Sequence, residues 1–114
     1  MVKTLLPTQP GTHKISVANY LDELFKLDSK VAKSSTYLLP LETSNELLKF
    51  LTIEHKSDTY IWNNSDGKLV GYFSIVNLQD KDALEVLSII VDPDYQHQGY
   101  GSQMMLYAED IAKN

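Results

Sequence analysis

Seven consecutive residues hold the most specific chemical signal in this chain: Gln96, His97, Gln98, Gly99, Tyr100, Gly101 and Ser102. They lie between an apolar run, Leu84 to Val91 followed by Asp92-Pro93, and a helical pattern from Met104 to Lys113. A strand that stops at a proline-containing turn and enters a helix through two glycines suits an anion. Glycine lets a ligand approach the backbone because no Cβ intervenes. The first turn of a helix presents N–H groups without carbonyl partners, and the helix dipole adds to their pull on negative charge. A pyrophosphate fits that description. Tight packing in an ordinary strand–turn–helix would also explain the glycines, though not the rest of the string.

Other reactive side chains offer no competing site. His13, His55 and His97 are far apart and lack ligand spacing, so no metal centre is expected. His97 either touches a phosphate or faces solvent, with solvent the favoured expectation for its ring. Ser102 has no histidine and aspartate placed to activate it as a nucleophile, but its hydroxyl and N–H suit a phosphate. There is no cysteine, hence no disulfide framework and no thiolate metal site.

The elements that must position the loop follow from patterning. Residues 1–12 hold Pro7, Pro10 and Gly11 and read as an irregular arm. His13 to Val17 reads as a first strand, with Ile15 and Val17 inward. Asn19 and Asp22 resemble a capping box opening a helix over about 19–33. Its stripes are Leu21, Leu24, Phe25 and Asp28, and Tyr20, Leu24, Leu27 and Val31. A loop from Ser34 through Pro40 follows. Thr43 and Glu46 form a second capping box, ahead of a helix with Leu47, Leu48, Phe50, Leu51 and Ile53 on its apolar side. Thr59 to Trp62, Leu69 to Val76 and Ala83 to Val91 read as three strands. They are joined by turns at Asn63–Gly67 and Gln79–Asp82. Met104, Met105, Ala108, Ile111 and Ala112 give the last helix its apolar face.

Composition sets the outer bounds. The 114 residues are 43% hydrophobic, enough for one domain with a core and without a division into two. No apolar run approaches the roughly 20 residues of a bilayer span, so no membrane partner is expected. Fifteen acids against ten bases give a net charge of −5, which argues against nucleic acid as a partner. The first residues lack the apolar core of a signal peptide, and a cytoplasmic location is the expectation.

The loop resembles the acetyl-CoA-binding signature of the GNAT superfamily of N-acetyltransferases, Arg/Gln-x-x-Gly-x-Gly/Ala. Gln96, Gly99 and Gly101 fill its fixed positions, and Ile89-Ile90-Val91-Asp92-Pro93-Asp94-Tyr95 matches the usual approach. The resemblance implies an α+β, α/β/α-layered GNAT-like fold, an antiparallel sheet with flanking helices. The order strand, helix, helix, three strands, helix corresponds to the first two-thirds of that fold. A fifth strand, a fourth helix and usually two more strands would follow, so the fold is expected to be C-terminally truncated.

What the resemblance implies for function can be set out residue by residue. Acetyl-CoA would be the cosubstrate, held by Gln96, His97, Gln98, Gly99, Tyr100, Gly101 and Ser102 and by the strand at Ile89, Ile90 and Val91. The main chain of Ile89 and Val91 would pair with the pantetheine arm as a strand edge does. Glu85, eleven residues before Gln96, stands where many members keep a general base; an ammonium must lose a proton before it can attack a thioester. A strand-end glutamate facing solvent is the structural alternative. The usual general acid, a tyrosine on the fourth helix, has no match among the seven tyrosines. The expected function is acetyl transfer to a primary amine by direct attack. A non-catalytic CoA-binding module, or the N-terminal part of a longer acetyltransferase, remain alternatives. An open edge on the Ala83–Val91 strand makes a symmetric homodimer the expected assembly.

Overall fold

The computed structural model describes residues 9–34, 43–54, 56–78 and 83–113. The expected arm up to residue 8, the loop at 35–42, His55 and the turn at 79–82 lie outside the described residues. The elements run β1 (Gly11–Ile15), α1 (Leu21–Ser34), α2 (Ser44–Lys49), β2 (Asp58–Asn63), β3 (Leu69–Leu78), β4 (Ala83–Val91) and α3 (Tyr100–Lys113). The strands form one antiparallel sheet in the order β1-β2-β3-β4. That is the element order the sequence predicts.

Alternation along the strands gives the sheet two apolar faces. Ile61, Tyr72 and Ile90 pack under α1 and α2 with Leu24, Leu27, Val31, Leu47 and Leu51. Phe73 and Ile75, with the half-buried Val86, Ile89 and Val91, pack against Met104 and Ala108 of α3. Helices therefore cover both faces, the layered arrangement that such a two-sided sheet requires. Thr43 caps α2 by accepting from the Glu46 N–H at 3.3 Å, so the second capping box forms on its backbone side.

Several boundaries differ from the sequence reading. The first strand lies two residues earlier than expected, and Val17 opens a 3-10 turn, Val17–Tyr20, that leads into α1. Asn19 sits inside that turn, its N–H bonded to Ser16 O at 3.1 Å, so it does not cap the helix. Beyond α2 the chain widens into a π-helical turn, Phe50–Glu54, which leaves Ile53 64% exposed instead of on the apolar side. In α3, Met104 and Ala108 are buried as expected, but Met105 is exposed.

The α1 face of the sheet is not wholly apolar. Asp28, on the expected apolar stripe of α1, accepts a hydrogen bond from the buried Tyr72 hydroxyl at 3.1 Å. Burial raises the Asp28 pKa, and the hydrogen bond from Tyr72 offsets part of that rise. Burial also holds the Tyr72 phenol far above its ordinary range, helped by the neighbouring carboxylate. Deeper in the sheet the hydroxyls of Thr59 and Ser74 bond each other at 2.8 Å, satisfying two buried polar groups.

Gly71 is the tightest point of the fold. A Cβ there would meet Ile90 O at 2.3 Å and Met104 Cε at 2.7 Å. The methionine tip can move, but the β4 carbonyl cannot without shifting the ladder. Gly71→Ala is therefore expected to destabilise the protein by about 1–3 kcal/mol through overpacking. Urea unfolding followed by circular dichroism measures it, and an unchanged midpoint would mean that β3 and β4 separate at no cost.

Candidate functional site

The approach to the loop is fixed by short-range hydrogen bonds. β4 ends at Val91, and Asp92 N–H donates to Val70 O at 2.8 Å. The Asp92 carboxylate accepts from the Asp94 N–H at 2.9 Å, and Asp92 O accepts from Tyr95 N–H at 2.8 Å. These bonds wind Pro93–Tyr95 into a 3-10 turn, with proline at its start where a missing N–H costs nothing. Gln96 is extended, and its side-chain amide folds back to donate to Val91 O at 3.2 Å. The fixed glutamine of the motif thus caps the end of β4.

Two left-handed residues then reverse the chain. His97 has φ +66° and Gly99 has φ +86°. Histidine is among the residues that tolerate this region; glycine enters it freely. Gln103 N–H donates to Gly99 O at 3.0 Å, which starts α3 at Tyr100, four residues earlier than the apolar pattern suggests. Tyr100, Gly101 and Ser102 consequently form the first turn of a 14-residue helix, where backbone N–H groups lack helical acceptors.

These elements border an open cavity of about 390 Å³. Gln96, His97, Gly99, Tyr100, Gly101 and Ser102 line it from the loop and the helix start, and Ile89 and Val91 from β4. An ideal Cβ on Gly99 would have no heavy atom within 4 Å, so the missing side chain leaves open space. A Cβ on Gly101 would only touch Val91 Cγ2 at 3.9 Å. Tyr95 and Tyr100 meet edge to face with centroids 6.4 Å apart, and both rings belong to residues of the cavity wall. An apolar strand side, two aromatic rings and a row of helix-start N–H groups match a ligand with an anionic centre and an uncharged arm.

The structure gathers most of the sequence-predicted residues and separates three. Ile90 packs into the core under α1, on the face away from Ile89 and Val91. Gln98 is exposed and does not line the cavity. Glu85 is exposed on β4, opposite Val76. Between Glu85 and Ile89 the ladder slips: Ser74 faces Ser88 and Ile75 faces Val86, so Leu87 has no opposite residue. Such a bulge twists a strand and re-aims its side chains. The Ser88 hydroxyl beside it is buried with no hydrogen-bond partner among the described residues. Two lining residues escaped the sequence reading. Tyr95 lies in the approach to the motif, where its type alone does not mark it as a wall residue. Val31 comes from α1, and nothing in the local sequence links it to the loop. Among the described residues no cluster of histidine, cysteine, aspartate and glutamate could hold a metal ion. No helix there is long and apolar enough to cross a membrane.

A layered antiparallel sheet whose last strand feeds a glycine loop and a helix start is a GNAT-like fold. Residues 20–114 match the model of the acetyltransferase (GNAT) family, and the chain belongs to that family. The UPF0039 protein C11D3.02c of Schizosaccharomyces pombe is 33% identical over 61 residues, covering 54% of this chain and 40% of that protein. The chain thus spans less than half of that curated relative. A possible acetyltransferase of Clostridium difficile 630 superposes with a TM-score of 0.66 at 20% identity, over 88% of this chain and 68% of that one. The PaiA N-acetyltransferase of Thermoplasma acidophilum, solved in complex with coenzyme A, gives a TM-score of 0.65 at 18% identity over 90% and 70%. At these identities the two structures speak to the fold.

Gly99→Val tests the loop. A β-branched side chain at φ +86° is strained, and its methyls would fill the open space. Calorimetric titration with acetyl-CoA is expected to show affinity reduced about 5- to 30-fold, the equivalent of the 1–2 kcal/mol needed to hold a relaxed valine turn in the left-handed conformation. Gly101→Ala, which meets only an ordinary contact with Val91, should bind far better than Gly99→Val. Equal affinities for wild type and Gly99→Val would remove the loop from the binding site.

Proposed function

We propose that this protein transfers the acetyl group of acetyl-CoA to a primary amine by direct attack. The observation that carries this reading is the cavity at the end of β4, walled by the helix start that follows Gly99. The pyrophosphate would sit against the N–H groups of Tyr100, Gly101 and Ser102 and the turn at His97–Gly99. The uncharged pantetheine arm would follow the β4 edge at Ile89 and Val91, pairing with its main chain. Backbone N–H groups of β4 near the Leu87 bulge would hold the thioester oxygen as charge develops on it.

In this mechanism the amine nitrogen gives its lone pair to the acetyl carbon, and the bond from that carbon to sulfur breaks. The CoA thiolate leaves and takes up, through solvent, the second proton, which the nitrogen sheds as it becomes an amide. The proton shed by the ammonium goes to Glu85, directly or through water. Glu85 lies four residues before Ile89 on the same strand and is open to solvent, so a water-relayed transfer suits its placement. The coenzyme A complex of the Thermoplasma relative supports the choice of ligand by likeness of fold. A cytoplasmic location belongs to the same reading.

Glu85→Gln should lower kcat/KM for the amine by about 10- to 100-fold near neutral pH, the usual scale of base catalysis. The deficit should shrink as pH rises toward the pKa of the amine, because a free amine needs no base. A deficit independent of pH would assign Glu85 a structural role.

The β4 edge bears on assembly. Among the described residues β4 pairs with β3 alone, and its sequence, Ala-Leu-Glu-Val-Leu-Ser-Ile-Ile-Val, is β-prone with a single charge. Exposed strands of this kind pair with other chains. A symmetric homodimer with this edge at or near its interface is expected. Light scattering over a dilution series should show a concentration-dependent dimer, and a soluble monomer at every concentration would refute it.

A further inference from the structure

The turn in front of the loop holds two carboxylates, and both meet one lysine from a distant helix. Lys30 Nζ lies 2.8 Å from Asp92 Oδ1 and 2.7 Å from Asp94 Oδ2. Asp92 directly follows Val91, and Asp94 directly precedes Tyr95 and Gln96; all three of those neighbours line the cavity. The residue after Lys30 is Val31, the wall that α1 contributes. The ion pairs therefore join α1 to the loop at positions adjacent to the cavity lining.

Asp92 cannot turn its charge elsewhere cheaply. Its N–H is bonded to Val70 of β3, its carbonyl and its carboxylate each hold a bond of the 3-10 turn, and its side chain is mostly buried. The turn thus sets two negative charges beside a site proposed for a polyanion, in a chain of net charge −5. Like charges placed this way weaken association. Hydrogen bonds to Asp92 first and Asp94 second raise the Lys30 pKa, so the lysine stays charged across the physiological range. Surface pairs of this type add too little to folding for stability to be their main effect.

We propose that Lys30 is a positioning residue of the cofactor site: it cancels the charge of Asp92 and Asp94 in front of the anion-binding loop and ties that loop to α1. The inference rests on acetyl-CoA being the ligand. It concerns a residue outside the loop, 66 positions before Gln96, that no motif marks.

Calorimetric titration of the full chain with acetyl-CoA, at low and high salt, tests it. Lys30→Met should raise Kd about fivefold at low salt, the upper end of what one exposed ion pair contributes, and less at high salt. Lys30→Arg should bind like wild type. Asp94→Asn alone should bind more tightly, since one lysine then faces one carboxylate. The double variant Lys30→Met with Asp94→Asn should recover most of the affinity lost in Lys30→Met. A purely structural tie would not be restored by deleting its second partner. Unchanged binding in Lys30→Met, or a double variant as weak as the single, overturns the inference while leaving the ligand intact. If Lys30→Met fails to fold, Asp94→Asn still decides: affinity no better than wild type overturns the charge-cancelling role. Wild type that binds no acetyl-CoA overturns the ligand assignment itself and this inference with it.

Discussion

The approach of β3, β4 and α3 at Gly71 is the constraint on which the rest of the site depends. Gly71 faces Val91 in the ladder, and the space a side chain would take is filled by the Ile90 carbonyl and the tip of Met104. Met104 is the first fully buried residue of α3, one turn after the helix begins. Its seat against the sheet sets how far the helix start stands from the end of β4. The loop must close that distance with Asp92 to Gly99, and it does so through a proline turn and two left-handed residues. Widening the joint at Gly71 would widen the cavity mouth.

β4 serves two masters at its end. Ile90 anchors α1 and α2, while Ile89 and Val91 face α3 and wall the cavity. This explains the near-continuous apolar run, since a strand covered on both faces has no polar side to show. The polar exceptions fall where covering is incomplete or paired. Ser88 sits at the bulge, and Glu85 lies beyond it in solvent. On the facing helix, Asp28 interrupts an apolar stripe and is matched by Tyr72 from β3, so a charge and a phenol share a space that sequence periodicity assigns to hydrocarbon.

Much of this architecture was legible in advance, for physical reasons. The strands from Leu69 and Ala83 carry long β-prone apolar runs and the turn at Asn64–Gly67 carries turn chemistry, and they appear with nearly the expected bounds. Helix starts were less legible. Asn19 looked like a cap because its type and spacing fit, yet the chain takes a 3-10 turn first. The apolar pattern starts the last helix at Met104, and three of the four residues before it, Tyr100, Gly101 and Ser102, are poor or indifferent helix formers. At a helix start, however, fewer backbone bonds are at stake. Within the site, local motif residues were found together, whereas Val31 and Lys30 were invisible. Their relation to the loop exists only after α1 has packed across the sheet, and no local spacing encodes that.

The aromatic cluster on the α3 side offers one practical consequence. Trp62 of β2 meets Tyr107 of α3 edge to face with centroids 6.1 Å apart, beside Tyr60 and Phe73. It is the single tryptophan of the chain. The helix that starts at the cavity is thus read out, about two turns from its start, by a native fluorophore on the sheet. Selective excitation of that indole reports whether α3 keeps its seat when the loop is filled, without any label attached to the protein.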